Sequence, residues 1–156
     1  MEIAIRRYKP KDIPRILELH VLAIKSVPNL IVHDGHLIKD LHNIDTEYIN
    51  NDGDFLVAEN KGIIIGMGAI RRKDKNCGEI KRMRVDPKYW RNGIGQMILT
   101  RLEEIAGNKG YKRLVLDTSV FQLSAQKLYE KNEYKVIRRE FIHGYECIIY
   151  EKEISQ

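Results

Sequence analysis

The amino-acid sequence predicts an α/β domain in which helices and strands alternate along the chain. Short apolar runs such as Phe55-Leu56-Val57-Ala58 and Leu114-Val115-Leu116 have strand length, while Ile94, Ile98, Leu102, Ile105 and Ala106 recur at helical spacing. Turn signals, among them Asn51-Asp52-Gly53, Asn60-Lys61-Gly62 and Asn108-Lys109-Gly110, fall between these segments. The chain has 156 residues, which suits one domain (1–156) able to bury a core without disulfides or metals.

Ile3 to Arg6 reads as the first strand. Asp12 is a helix-cap candidate and Pro14 is tolerated in a first helical turn, so Ile13, Ile16, Leu17 and Ile24 predict a helix to about Ser26, stopped by Pro28. In 28–53, Leu37, Ile38 and Leu41 suggest one short helix and Ile44, Tyr48 and Ile49 a second. Two strands then form a hairpin around Asn60-Lys61-Gly62, the second continuing to Ile70. A loop over Lys73 to Gly78 leads to a strand over Glu79–Val85, a glycine-bearing loop and the helix that carries Ile94. A short strand at Leu114–Leu116 and a helix over Ser124–Glu133 follow, with Ala125, Leu128 and Tyr129 on one face. Tyr134 to Phe141 and Tyr145 to Tyr150 close the chain as a hairpin at His143-Gly144. The order is β-α-α-β-β-β-α-β-α-β-β, and two of the crossovers can join parallel strands.

Hydrophobic residues make up 43% and charged residues 31%, ordinary values for a soluble globular protein. No apolar run is long enough to span a membrane, and residues 1–10 do not resemble a signal peptide. The two cysteines, Cys77 and Cys147, suit a reduced compartment, and the expected location is the cytoplasm. The net charge is +5, but the basic residues are spread along the chain, so a nucleic-acid partner is not expected. They do gather locally, as Lys81, Arg82, Arg84, Lys88 and Arg91.

That cluster surrounds the most informative segment, Glu79 to Gln96. Gly93 and Gly95 bracket Ile94 where a strand runs through an Asp86-Pro87 turn into a helix. Backbone N–H groups and the positive end of a helix dipole then converge on one spot, which suits a phosphate or pyrophosphate. Alone, Gly-x-Gly is only a tight turn. It lacks the third glycine of a dinucleotide fingerprint and the Gly-Lys-Ser/Thr of a Walker loop.

The run Met83-Arg-Val-Asp-Pro-Lys-Tyr-Trp-Arg-Asn-Gly-Ile-Gly-Gln-Met-Ile-Leu99 resembles the acyl-CoA-binding motif of the GNAT N-acetyltransferase superfamily. Ala125-Gln-Lys-Leu-Tyr-Glu-Lys-Asn-Glu-Tyr134 resembles its second signature, in the expected order. The resemblance covers almost the whole chain. It implies a mixed, mostly antiparallel sheet of six to seven strands flanked by helices, and acetyl-CoA as co-substrate with no metal. The backbone of Met83, Arg84 and Val85 would pair with the pantetheine arm. The loop Arg91, Asn92, Gly93, Ile94, Gly95 and Gln96 would hold the pyrophosphate, with the Arg91 and Asn92 side chains and Lys131 reaching outer phosphates. Gln122 stands where the family has asparagine, and it and Ser124 complete the expected cofactor contacts. Trp90 stands where Gln or Arg is common. Glu133 replaces a glycine, which places a charge at a helix C-terminus.

Two catalytic roles follow from the resemblance. Tyr129 matches the tyrosine that protonates the departing thiolate; with a phenol at ~10 and a thiol at ~8.5, the transfer is uphill by about 2 kcal/mol. Its other reading is core packing with a bonded hydroxyl. Glu79, in the motif strand, would take the amine proton directly or through water, against a cost of about 4.6 kcal/mol for a neutral alkylamine at pH 7. It also reads as a strand-end charge. His33, His36 and His42 near Asp34 and Asp40 read as surface residues before metal ligands. Cys147 reads as a buried, inert thiol.

The sequence therefore points to an acetyl-CoA-dependent N-acetyltransferase in which a primary amine, expected on a small molecule, attacks directly in a ternary complex. A protein or peptide acceptor, a non-catalytic acyl-CoA sensor of the same fold and a basic nucleic-acid-binding protein are the alternatives. A homodimer is possible by analogy with the family.

Overall fold

The computed structural model describes residues 1–31 and 35–154, with residues 35 and 36 described by backbone alone. The elements are β1 (Ala4–Arg7), α1 (Ile13–Lys25), β2 (Asp54–Asn60), β3 (Ile63–Asp74), β4 (Cys77–Val85), α2 (Ile94–Asn108), β5 (Arg113–Ser119), α3 (Leu123–Lys131), β6 (Lys135–Ile142) and β7 (Tyr145–Glu153). The two short helices expected between α1 and β2 are a kinked 3-10 segment, Gly35–His42, and one π-type turn, Asp45–Ile49.

One mixed seven-stranded sheet has the order β1-β2-β3-β4-β5-β7-β6. Its neighbours are antiparallel except β4 and β5. The second crossover, β5-α3-β6, does not pair its strands, because β7 lies between them. Burial accounts for this placement. Cys147, Ile148, Ile149 and Tyr150 are buried and need cover, whereas β6 is exposed along nearly its whole length and suits an edge. The expected loop at 73–78 is also absent. Asp74 pairs with Cys77, so β3 and β4 form a hairpin joined by Lys75 and Asn76.

Apolar residues cover both faces of the sheet. On one, α2 and α3 bury Ile94, Ile98, Leu102 and Tyr129 against Leu56, Ile80, Leu114 and Leu116. On the other, α1 and the 35–49 segments bury Ile16, Leu19, Leu41 and Tyr48 against Phe55, Val57 and Met67. Gly68 lets α2 seat closely, since an added Cβ would lie 2.6 Å from both Ile98 Cγ2 and Met83 Sδ.

Two departures from regularity shape β4. Its register with β3 shifts between Met67 and Ala69, where Arg82 takes φ of 58°. This is a bulge, which bends the strand and raises its twist. Further, β4 pairs with β5 only over Cys77–Glu79 and Arg113–Val115. Beyond that the two strands part, leaving a gap through the sheet. Ile80, Met83 and Val85 face α2, and Glu79, Lys81, Arg82 and Arg84 face the α1 side.

After α3 the chain reverses through Glu133, whose φ is 70°. The residue stands where a helix-terminating glycine would be free of the left-handed penalty. Glu133→Gly is therefore expected to stabilise the fold by about 1 kcal/mol, read as a higher urea midpoint with unchanged slope; an unchanged or lower midpoint would show that no backbone strain resides there.

Candidate active site

The gap between β4 and β5 opens a cleft of about 240 Å³ that joins the two faces of the sheet. Met83 and Arg84 of β4, Asp117 of β5 and Tyr129 of α3 line it, with His20 and His143 toward its outer end.

At one end of β4 the chain passes through a 3-10 turn, Pro87–Tyr89, whose first N–H is capped by Asp86. The loop then enters α2 at Gly93 with φ of 74°, a conformation that glycine adopts without steric cost. The backbone N–H groups of residues 91–96 donate to no described group, so a row of free donors stands at the positive end of a 15-residue helix. An added Cβ on Gly93 would meet nothing within 4 Å, which leaves the cradle open. Gln96 and Asn132 exchange amide hydrogen bonds of 2.9 and 2.8 Å, tying the start of α2 to the end of α3.

The expected cofactor contacts fall into two groups. Met83, Arg84 and Gln122 line the cleft, while Arg91 to Gln96 form the cradle beyond Val85. Several side chains already have partners. Asn92 Nδ2 donates to the carbonyls of Tyr89 and Trp90, bracing the loop. Gln122 Oε1 accepts from Ser119 N and Thr118 Oγ1, which anchors the end of β5. Trp90 Nε1 donates to Val85 O at 3.0 Å, and Arg84 Nη1 to Met83 O at 2.9 Å, so each of these carbonyls keeps one lone pair. Ser124 and Lys131 are exposed and outside the cleft lining.

Tyr129 is buried within an aromatic cluster with Tyr134 and Tyr150, yet its hydroxyl bonds to no described residue. Burial pushes its phenol well above the ordinary value, opposed by the nearby Arg84 cation. Glu79 lies outside the cleft lining, in an ion pair with Arg71 at 3.1 Å. Asp117 is exposed, lines the cleft and has no ion pair with a described residue. An aspartate in a β-strand gives no sequence signal of this kind, and the reading of the sequence missed it.

The reading also missed what holds the bulge. Arg82 forms a two-pronged ion pair with Asp40, Nη2–Oδ1 2.6 Å and Nε–Oδ2 2.9 Å, and donates to Leu37 O. Tyr48 donates to the same carboxylate. Burial pushes the Asp40 carboxyl up, but Arg82 outweighs it and holds the group below its ordinary range. His33 and Asp34 lie outside the described residues, as does the side chain of His36; His42 is exposed. No group of three potential metal ligands occurs among the described residues. Both cysteines are buried, and burial pushes each thiol up. No described helix is long and apolar enough to cross a membrane.

With the strand-gap cleft and the amide-lined helix start described, comparison with known proteins gives the family. Residues 14–134 match the model of the Acetyltransferase (GNAT) family, and the chain belongs to that family. A solved GNAT-family acetyltransferase from Staphylococcus aureus Mu50 is 25% identical, with a TM-score of 0.90 over 99% of this chain and 100% of that one. The PaiA N-acetyltransferase of Thermoplasma acidophilum, solved in complex with coenzyme A, has a TM-score of 0.80 at 22% identity, covering 99% and 100%. Human N-acetyltransferase 8 is 32% identical over 115 residues, 69% of this chain and 50% of its own length. The chain spans about half the length of the curated relatives it matches.

Asp40→Asn is expected to lower stability by about 3 kcal/mol at pH 7, because Arg82 is left without its carboxylate. A depressed carboxyl contributes fully above its unfolded value and loses that contribution as pH falls through the folded one. The gap in urea midpoint between wild type and variant should stay constant from pH 7 to about 4 and close below it. A gap that closes near pH 6 would contradict the assignment.

Proposed function

We propose that the protein transfers the acetyl group of acetyl-CoA to the primary amine of a small molecule, by direct attack in a ternary complex. The observation that carries this reading is the cleft between β4 and β5, with the Tyr129 hydroxyl on one side and the Asp117 carboxylate on the other, neither bonded to a described residue. Family membership and the neighbour that binds coenzyme A support the donor.

The chain's residues divide the work. Free N–H groups at residues 91–96 receive the pyrophosphate, and the edge of β4 at Met83 and Val85 receives the pantetheine arm. The thioester then lies in the gap, facing the amine from the α1 side. Holding both reactants there supplies much of the rate gain. The amine nitrogen forms the new bond to the acetyl carbon as the carbon–sulfur bond breaks. Asp117 takes the proton from nitrogen, and Tyr129 gives one to sulfur. Glu79, committed to Arg71, would act only through intervening water.

A panel of primary amines with acetyl-CoA, read by free-thiol release, tests the activity; no thiol release with any amine would overturn it. With a working acceptor, Tyr129→Phe should lower kcat by about 100-fold. Asp117→Asn should lower kcat/KM by about 100-fold and Glu79→Gln by less than about threefold; the reverse ranking would return the base to Glu79. Because burial raises the Tyr129 phenol, kcat should show no fall around pH 10, where an ordinary phenol of pKa ~10 ionises.

A further inference from the structure

Arg84 has no ion pair with any described residue. It lies on the α1 side of β4, in the wall of the cleft. Its single hydrogen bond to a described residue goes to a neutral carbonyl, that of Met83, and its Nε is sealed from solvent with no partner among the described residues. It forms no ion pair with any described carboxylate, whereas its neighbour Arg82 is fully matched by Asp40. Charges withdrawn from water in proteins are normally paired. The mismatch shows in the guanidinium itself, which burial first and Arg82 second push down to about 10. It remains charged at neutral pH.

Coenzyme A does not supply the missing anion. Its phosphates belong at the cradle of residues 91–96, beyond the far end of β4, and the pantetheine arm beside Met83 and Val85 carries no charge. Tyr129 is neutral at rest. Asp117, across the gap, acts on Arg84 through its charge but forms no ion pair with it, which leaves its carboxylate for the amine. Lys81 lines the same wall without an ion pair to a described residue, so the described residues of the acceptor side carry an excess of positive charge. A simple alkylammonium would be repelled there. An amine that also bears an oxyanion would not, and the planar guanidinium suits a carboxylate.

Resting on the acetyl-transfer reading above, we infer that the acceptor is a primary amine carrying a carboxylate, of the amino-acid class, and that the Arg84 guanidinium binds the carboxylate while Asp117 faces the amine. The two charged groups then read the two ends of a zwitterion across the gap. They also set its orientation, with the nitrogen toward the thioester.

The test compares L-amino acids with their decarboxylated amines and their amides as acceptors. Wild type should favour the carboxylate-bearing member of the best pair by at least about tenfold in kcat/KM, mainly through KM. Arg84→Met should reduce that ratio to about one, and Arg84→Lys should keep part of it. Calorimetry with N-acetyl-amino acids gives a readout free of turnover: they should bind wild type and lose at least about tenfold in affinity with Arg84→Met. A preference for decarboxylated amines, equal binding by wild type and variant, or a uniform loss of kcat for every acceptor would overturn the inference, the last placing Arg84 with Tyr129 instead. Failure of the donor reading would show separately, as no coenzyme A binding by wild type.

Discussion

The ion pair between Arg82 and Asp40 is the interaction on which the site depends. Arg82 sits in a left-handed conformation that costs an ordinary residue roughly 1–2 kcal/mol. The strain persists because the guanidinium is locked from the other side of the cleft by a carboxylate that Tyr48 also engages. Asp40 lies on the 3-10 segment that follows α1, so the same contact fixes the outer wall of the cleft to β4. Bulge, cleft wall and acceptor side are therefore one unit. The bulge keeps Met83 and Val85 on the α2 face while Arg82 and Arg84 both turn to the α1 face.

The gap this produces gives the sheet a passage between its two faces. The donor side is built from α2 and α3, joined by the Gln96–Asn132 amide pair, and presents neutral donors and a phenol. The acceptor side presents charge: Lys81 and Arg84 from β4 and Asp117 from β5. Such a division suits a reaction in which a large anionic donor is held at its phosphates and a small acceptor by its ends. Among the described residues Arg84 is left without an ion pair, and the carboxylate of the proposed acceptor would complete it.

Much of the donor side was visible in the sequence. The apolar spacing of Ile94, Ile98 and Leu102 marks α2, and Gly93 marks the turn where φ becomes positive. These are local signals, set by the chain within a few residues. The acceptor side was not visible, because its chemistry is long-range. Arg82 and Asp40 are 42 residues apart, and nothing near either one announces the other. Asp117 looks like a solvated strand residue until the parting of β4 and β5 exposes it to the cleft. Gln122 reads as a cofactor contact, yet its oxygen anchors the end of β5. The polar run at 73–78 hid a tight hairpin, and the placement of β7 inside β6 follows from burial across the sheet rather than from local pattern.

Amide hydrogen exchange with and without acetyl-CoA tests the central claim most directly, because it reads the strand edge and the helix start together without requiring the acceptor. Slowed exchange confined to the amides of Met83, Val85 and residues 91–96 is the predicted result. Protection spread elsewhere, or none at saturating acetyl-CoA, would contradict the account.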